Sequence, residues 1–371
     1  MSKPNPLAQT YQLGQSLWLD YIRKSILDGE LQALIEKDSI MGLTSNPAIF
    51  EQAITRSDDY DAHMGEILAA RPDIDNLELF NELAIADIQA AADAFADTYK
   101  TTDGLDGMVS LEVSPELADD ADGTVASAVD LHERVSRPNL MIKVPGTKAG
   151  IDAFETLTAM GINVNVTLLF SVTRYREIAE AYIRGLAQRH ADAQPIDRIA
   201  SVASFFVSRV DSAVDEALES AGGERARALL GRIAIANARV AYGHFVKLFG
   251  SEQFERLAAA GARPQRLLWA STGTKNANYS DVLYVEELIG PDTVNTLPPA
   301  TMDAFRDHGV AERRLTQGLE QAHADISALS ELGISLASIT DKLEADGVAS
   351  FKEAFARLLE SLAEKRQRTA S

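Results

Sequence analysis

Eight short runs of apolar, often β-branched residues alternate along this chain with stretches of helical periodicity. In the helical stretches, such as Asn76–Lys100, apolar residues recur at spacings of three and four. Strands that alternate with helices predict a parallel sheet, and eight such units predict an α/β fold closed into a (β/α)8 TIM barrel. The predicted strands are Ser16–Ile22, Ser39–Asn46, Gly107–Val113, Asn139–Val144, Ile162–Phe170, Ala200–Val207, Arg266–Ser271 and Thr293–Thr296.

An open, doubly wound sheet is the alternative architecture for this alternation. That fold usually has a glycine-rich turn after its first strand, and no Gly-x-Gly occurs in the 371 residues, so the barrel is favoured. Additional helices are predicted in an insertion at about residues 48–100 and in a C-terminal extension at about residues 303–367, packed on the outside. No linker rich in Pro, Gly or Ser divides the chain, so residues 1–371 are predicted to form one domain.

Polar residues interrupt the apolar runs near their C-terminal ends. Strands of a parallel barrel are buried on both faces, and strand residues two apart share a face. The C-terminal ends of the strands carry the catalytic residues in this fold. The polar residues are Asp20; Thr44, Ser45 and Asn46; Ser110, Glu112 and Ser114; Lys143; Asn163, Asn165 and Thr167; Ser204 and, just after its strand, Arg209; and Ser271.

Each of these residues has an ordinary structural explanation when it is taken singly. A buried lysine is usually an ion-pair partner, the sequence Thr-Ser-Asn-Pro is typical of a turn or a helix N-cap, and alternating asparagines suit an exposed strand face. An unpaired buried polar group, however, costs on the order of 1–3 kcal/mol. So many polar groups on separate strands of one barrel therefore predict an active site.

Lys143 lies in the middle of the apolar run Asn139–Val144. A desolvated lysine supplies a nucleophilic amine near neutral pH, and such an amine attacks a carbonyl to form a Schiff base. The protonated imine is an electron sink that permits cleavage of a neighbouring carbon–carbon bond. Proton transfer then requires a carboxylate, for which Asp20 and Glu112 are the two candidates. Asn46 and Asn165 are suited to hold substrate hydroxyls, because an amide both donates and accepts.

A metal-dependent aldolase would cleave the same bond with histidine-bound zinc. None of the six histidines lies in a predicted strand, no His-Glu-x-x-His sequence occurs, and cysteine is absent. We therefore expect no metal at the site.

The composition limits the classes of partner that the chain can bind. The formal charge of −20 disfavours nucleic acid and anionic membranes, so an anionic substrate needs a local basic site. No window approaches the roughly 18 apolar residues of a membrane span. The polar N-terminus has no apolar signal core, which predicts a cytoplasmic protein.

Six motifs, taken in order, resemble those of the transaldolase family, specifically its longer bacterial branch. The resemblance covers nearly the whole chain and implies a (β/α)8 barrel without a cofactor. It also implies transfer of a dihydroxyacetone unit from sedoheptulose 7-phosphate to glyceraldehyde 3-phosphate, which gives erythrose 4-phosphate and fructose 6-phosphate in the non-oxidative pentose phosphate pathway. The motifs are GLTSNPAIF, SLEVSPELA, NLMIKVPGTKAG, GINVNVTLLFS, SFFVSRVD and NTLPPAT.

The resemblance also implies roles for individual residues. Lys143 resembles the family's Schiff-base lysine on the fourth strand, and Asp20 its acid/base for carbon–carbon cleavage. Glu112 and Thr167 resemble the pair that positions a water for formation and hydrolysis of the imine. The substrate-binding residues implied by the family motifs are Asn46 and Asn165 for the dihydroxyacetone hydroxyls, Ser204 and Phe206 as lining residues, and Arg209 for phosphate.

The seventh strand departs from the family pattern. Many transaldolases carry Ser-x-Arg there, and the arginine assists in binding phosphate. This chain keeps Ser271 but has Gly273 in place of the arginine, and Lys275 is the candidate substitute.

Two other functions are weighed against a transaldolase. A fructose-6-phosphate aldolase, a smaller relative that releases free dihydroxyacetone, tends to carry Gln at the position of Glu112 and Tyr at that of Phe206. A non-catalytic barrel scaffold would tolerate Lys143→Met. The sequence allows a monomer or a homodimer.

Overall fold

Eight parallel strands close into a barrel in the computed structural model, which describes residues 5–55 and 57–369. Each strand pairs with the next, and the last pairs with the first, so the predicted barrel is confirmed and an open sheet is excluded. Every strand end lies within two residues of its predicted position. The strands are β1 (Gln15–Asp20), β2 (Ile40–Thr44), β3 (Met108–Glu112), β4 (Leu140–Pro145), β5 (Val164–Leu169), β6 (Ser201–Phe206), β7 (Arg266–Ala270) and β8 (Thr293–Leu297).

Helices surround the barrel in the described part of the chain, and a short 3-10 helix follows β3 at Pro115–Leu117. The helices are α1 (Pro6–Gln12), α2 (Lys24–Leu27), α3 (Glu30–Asp38), α4 (Pro47–Thr55), α5 (Asp61–Ala70), α6 (Asn76–Ala94), α7 (Ala96–Thr101), α8 (Ala121–Val135), α9 (Lys148–Met160), α10 (Val172–Ala191), α11 (Ser208–Ala221), α12 (Gly223–Arg227), α13 (Ile233–Phe249), α14 (Glu252–Ala258), α15 (Leu283–Glu287), α16 (Pro299–His308), α17 (Leu319–Glu331) and α18 (Leu336–Thr369). Among the described residues, no helix combines the length and the apolar character that crossing a membrane requires.

The two predicted helical additions are present where the chain was expected to carry them. Helices α4 to α7 lie between β2 and β3, and α16 to α18 follow β8. The expectation that the whole extension packs on the outside is wrong, because α18 also lines the cavity at the C-terminal end of the barrel. It packs against α4 and α11 there. That the chain is a single domain stays a prediction.

A buried polar cluster fills the barrel at its N-terminal end. Arg266 Nη2 lies 3.0 Å from Asp106 Oδ1, and the Asp106 side chain has no exposed surface. The other Arg266 nitrogen, Nη1, donates to Ser16 Oγ at 2.9 Å, and Ser16 Oγ donates to Asp106 Oδ2 at 2.8 Å. Because these groups satisfy one another, the cluster is a structural part of the barrel floor.

Candidate active site

A cavity of about 240 Å³ opens among the C-terminal ends of the strands. Most of the predicted site residues meet there, although they come from six different strands or the segments that follow them. Glu112 and Asn165 do not line the cavity, and they lie on the strands on either side of Lys143. The predicted residues that line it are Asp20, Asn46, Lys143, Thr167, Ser204, Phe206, Arg209, Ser271 and Lys275.

Lys143 lies on β4 with only 5% of its surface exposed. Its Nζ donates to the carbonyl oxygen of Ser45 at 3.1 Å and lies 3.4 Å from Glu112 Oε2. Ser45 Oγ in turn donates to the carbonyl of Ser110 at 2.8 Å, which fixes the peptide that faces the lysine. The ring of Phe351, on α18, has its centroid 6.0 Å from Nζ. The amine is therefore held in place while one side of it faces the cavity.

Glu112 is the immediate neighbour of this amine, one strand away in register. Burial raises the pKa of its carboxyl to about 7, although the charge of Lys143 opposes the shift. Among the described residues, its Oε2 accepts no hydrogen bond. A carboxyl with a pKa near neutral both accepts and releases a proton readily at physiological pH, which suits general acid–base chemistry.

Thr167 presents a second unpartnered polar atom. Its Oγ1 is buried without a hydrogen-bond partner among the described residues, and the side chain lines the cavity. The register of β5 with β6 shifts between Val166 and Leu169, and Leu168 has a φ of 63°. A positive φ is strained for a bulky residue, and bulges of this kind change the direction of side chains beside active sites. The local strain thus lies next to the hydroxyl that the site leaves free.

Asp20 ends β1 and lines the cavity. Thr44 Oγ1 donates to Asp20 Oδ1 at 2.7 Å, and Thr296 Oγ1 lies 2.6 Å from the same threonine oxygen. Because Thr44 has a single hydrogen to give, Thr296 is the donor in that second bond. Burial raises the pKa of Asp20, and the charge of Lys143 works in the opposite direction.

The two predicted amides are held differently. Asn165 is fully engaged, because its Nδ2 donates to Ser110 Oγ at 3.1 Å and its Oδ1 accepts from Ser204 Oγ at 2.6 Å. Asn46 uses Oδ1 to cap α4 by accepting from the backbone nitrogen of Ile49 at 2.9 Å. Asn46 therefore caps α4 and lines the cavity at the same time. Its Nδ2 has no acceptor among the described residues.

Arg209 lies in the first turn of α11, beyond the Phe206 that ends β6. Its guanidinium carbon lies 5.3 Å from the Phe206 ring centroid, and that ring packs against Phe170 at 5.1 Å between centroids. Burial lowers the pKa of the guanidinium, and Asp20 opposes this effect. No described residue accepts a hydrogen bond from the guanidinium or forms an ion pair with it. A cation that faces the cavity without a counter-ion is suited to bind an anion.

Gly273, the position of the departure, lies close to α16. A Cβ at this glycine would lie 2.9 Å from Thr301 Oγ1, so a larger residue would need the Thr301 side chain to move. Ser271 has a φ of 55°, and its carbonyl accepts from Ser208 N at 2.9 Å. Lys275 is exposed, but it lines the cavity. It needs this position if it is to take the place of the family's seventh-strand arginine.

Some contributions were missed or wrongly expected. Ser350, Phe351, Ala354 and Arg357 of α18 line the cavity, and only their spacing along one helix face could have indicated a common direction. Two polar residues next to the strands do not join the site. Asn163 donates to the carbonyls of Pro138 and Leu140, and Ser114 caps the 3-10 helix.

Within the described residues, His, Asp and Glu form no group of three that could hold a metal ion.

A barrel that holds a buried lysine beside carboxylates, below a cationic rim, is typical of enzymes that form Schiff bases with sugar carbonyls. The family model described as transaldolase/fructose-6-phosphate aldolase matches residues 17–362. The chain belongs to this family, as the motifs predicted.

Curated relatives match over most of their length. A protein of Trichodesmium erythraeum named transaldolase is 44% identical over 97% of both chains. A transaldolase of Parafrankia sp. is 45% identical over the full length of both, and transaldolase 1 of Streptomyces avermitilis is 46% identical over 94% of this chain and 93% of its own.

Proposed function

We propose that this protein is a transaldolase. It transfers a dihydroxyacetone unit from sedoheptulose 7-phosphate to glyceraldehyde 3-phosphate and releases erythrose 4-phosphate and fructose 6-phosphate, a step of the non-oxidative pentose phosphate pathway. The observation that carries the proposal is the Lys143 amine, buried at a cavity with Glu112 3.4 Å away and with the Arg209 guanidinium, which has no counter-ion among the described residues, at the rim. The naming of relatives 44–46% identical over nearly the whole chain supports the same activity.

Formation of the imine uses the groups nearest the amine. The neutral amine attacks the donor carbonyl, and the carbinolamine then loses water to give the protonated imine. Glu112 takes a proton from the ammonium and returns one to the departing hydroxyl, which a carboxyl with a pKa of about 7 does in both directions. Thr167 Oγ1, free of protein partners among the described residues, orients the water that leaves here and attacks during hydrolysis.

Cleavage and transfer use Asp20. Its carboxylate removes the proton of the C4 hydroxyl, the C3–C4 bond breaks, and its electron pair moves into the imine to form an enamine. The aldose phosphate leaves as an aldehyde. The acceptor aldehyde then enters, the enamine carbon attacks it, and Asp20 returns the proton to the new hydroxyl. Burial raises the pKa of Asp20, which makes the carboxylate a stronger base than an exposed aspartate.

The amides and the cations position the substrate. The Nδ2 of Asn46, which has no acceptor among the described residues, and Ser204 bind the dihydroxyacetone hydroxyls; Asn165 acts through Ser204, whose Oγ donates to its Oδ1. Arg209 and Lys275 bind the phosphate at the rim. Arg357 of α18, whose only partner among the described residues is Glu353 at 4.0 Å, adds a third cation.

The test is reduction with borohydride in the presence of fructose 6-phosphate, followed by mass spectrometry of the peptides. We expect one adduct on the peptide that contains Lys143, no adduct in Lys143→Met, and a wild-type adduct on Lys143 in the control Lys342→Ala, which replaces a lysine that does not line the cavity. An adduct on another lysine would contradict the assignment.

A second measurement separates the transferase from an aldolase. With fructose 6-phosphate alone a fructose-6-phosphate aldolase accumulates free dihydroxyacetone, whereas a transaldolase turns over only when an acceptor aldehyde is added. The presence of Glu112 and Phe206 favours the second outcome. We place the reaction in the cytoplasm, and a monomer and a homodimer both remain compatible with it.

A further inference from the structure

The segment between β7 and α15, residues 271–282, carries three cavity-lining positions, Ser271, Gly273 and Lys275, yet contains no helix or strand. Its start is fixed by Thr272 Oγ1, which donates to Asn295 Oδ1 at 2.9 Å. Farther along, the side-chain bond of Thr274 stays within the segment. The position of the Lys275 ammonium group therefore depends on the contacts that fix the later part of the segment.

Tyr279, within this segment, and Tyr284, just beyond it on α15, both bond to α11. Tyr279 Oη donates to Asp215 Oδ2 at 2.7 Å, and Tyr284 Oη donates to Asp211 Oδ2 at 2.9 Å. Both aspartates lie on α11, whose first turn carries Arg209. Asp215 lies six residues beyond Arg209, about 9 Å along the helix axis. Helix α11 thus carries Arg209 and also holds, through Asp215 and Tyr279, the segment that contains Lys275.

The aspartates are themselves fixed from the opposite side. Asp215 Oδ1 accepts from the backbone nitrogen of Gly231 at 3.0 Å, and Asp211 Oδ1 accepts from that of Ala234 at 2.7 Å. Both carboxylates are buried, Asp211 with 1% and Asp215 with 7% of its surface exposed. The Tyr279 ring lies against Gly231, where a Cβ would come within 2.8 Å of the ring. Asp215 therefore connects the segment to the residues at the start of α13, and Asp211 connects α15 to the same region.

We infer that Tyr279 and Asp215 are positioning residues that hold the segment at a fixed place relative to Arg209, so that Lys275 and Arg209 bind the same phosphate. The inference rests on the proposed function, because it concerns the phosphate end of that site. Neither residue lines the cavity, so the pair acts through Lys275 and Ser271 and takes no part in bond cleavage.

The test compares Tyr279→Phe and Asp215→Asn with the matched control Tyr242→Phe. Tyr242 Oη donates to the Pro291 carbonyl at 3.2 Å near the N-terminal end of β8, so its replacement removes one tyrosine hydrogen bond at the other end of the barrel. Steady-state kinetics are measured with fructose 6-phosphate and with unphosphorylated fructose as donor, with inorganic phosphate as a competitor, and melting temperatures are recorded.

Tyr279→Phe should raise the KM for fructose 6-phosphate and the inhibition constant of phosphate about 3- to 10-fold, the range that loss of one hydrogen bond allows. Its kcat and its kinetics with fructose should stay unchanged. Asp215→Asn should show the same selectivity, and Tyr242→Phe should show none at a comparable loss of melting temperature.

Two outcomes overturn the inference. One is a Tyr279→Phe variant with wild-type affinity for both phosphorylated donor and inorganic phosphate. The other is an equal loss on phosphorylated and unphosphorylated donors. If the wild-type protein neither transfers dihydroxyacetone nor forms the Lys143 adduct, the proposed function fails instead, and that result is visible before any variant is made.

Discussion

Replacing Arg209 with alanine tests the phosphate assignment most directly. The guanidinium has no acceptor or ion-pair partner among the described residues, so its donors are available to a ligand, and its carbon lies 5.3 Å from the Phe206 ring centroid. The change therefore removes two interactions. Contact with the ring acts on every substrate, whereas the bonds to phosphate act only on phosphorylated ones.

The two losses differ in size. A charge-assisted hydrogen bond is worth roughly 1.5–3 kcal/mol, or about 10- to 150-fold in affinity. A cation–aromatic contact is worth about 0.5 kcal/mol at an exposed site and about 2 kcal/mol when it is desolvated, or roughly 2- to 30-fold. We expect Arg209→Ala to lower kcat/KM for fructose 6-phosphate by at least tenfold more than for fructose. Arg209→Lys should lie between, because a lysine keeps the charge but loses the bidentate fork.

The assay is initial-rate kinetics with both donors in each variant, at several salt concentrations. Lys342→Ala is the matched control, since Lys342 borders a separate cleft next to Arg209 and does not line the active cavity. Lys275→Ala should show the selectivity of Arg209→Ala more weakly. An equal loss on fructose 6-phosphate and fructose in Arg209→Ala would refute the reasoning, as would the same selectivity in Lys342→Ala.

Further predictions concern the chemistry beside the amine. Lys143→Met should fold with little loss of melting temperature. Without the charge of Lys143, Glu112 becomes neutral in its buried site. A large loss of melting temperature would show that the lysine has a structural role. Asp20→Asn should slow bond cleavage by about 10²–10⁴-fold while the imine still forms, as rapid-quench trapping would record. Burial raises the pKa of Glu112 to about 7, so the carboxylate becomes protonated as the pH falls through 7. Imine formation should therefore slow below that pH, and in Glu112→Gln its rate should vary less with pH. Activity should survive a chelator, and inactivation by EDTA that zinc reverses would contradict the absence of a metal role.

Sequence reasoning predicted the barrel, and it selected residues that mostly lie around one cavity, because both depend on short-range patterns. A polar residue inside a buried strand conflicts with its surroundings, so Lys143 and Glu112 stand out within a few residues of sequence. The period of two places alternate residues on one face, and register then brings Glu112, Lys143 and Asn165 side by side. The departure at Gly273 was also visible, but the close approach of Thr301 to this position is a contact between distant segments.

The features that were missed depend on tertiary packing. The α18 face with Phe351 and Arg357 resembles any amphipathic helix, and its contact with the cavity follows from how the helix crosses the barrel. Asn163 fits the same alternation as Asn165, yet it precedes β5 and binds backbone carbonyls there. Periodicity gives the face of a residue but not its height in the barrel. That the protein is one domain and acts in the cytoplasm stays a prediction.

The placement of α18 separates two events during synthesis. All eight strands precede Ser350 in the chain, so the ribosome delivers every barrel residue, Lys143 included, before it delivers the helix that walls the cavity. A nascent chain whose barrel closes before α18 docks would hold Lys143 in a pocket that lacks the wall formed by Ser350, Phe351, Ala354 and Arg357. The groups that α18 contributes to the cavity, Arg357 among them, are thus the last to be synthesised, after both Lys143 and Arg209.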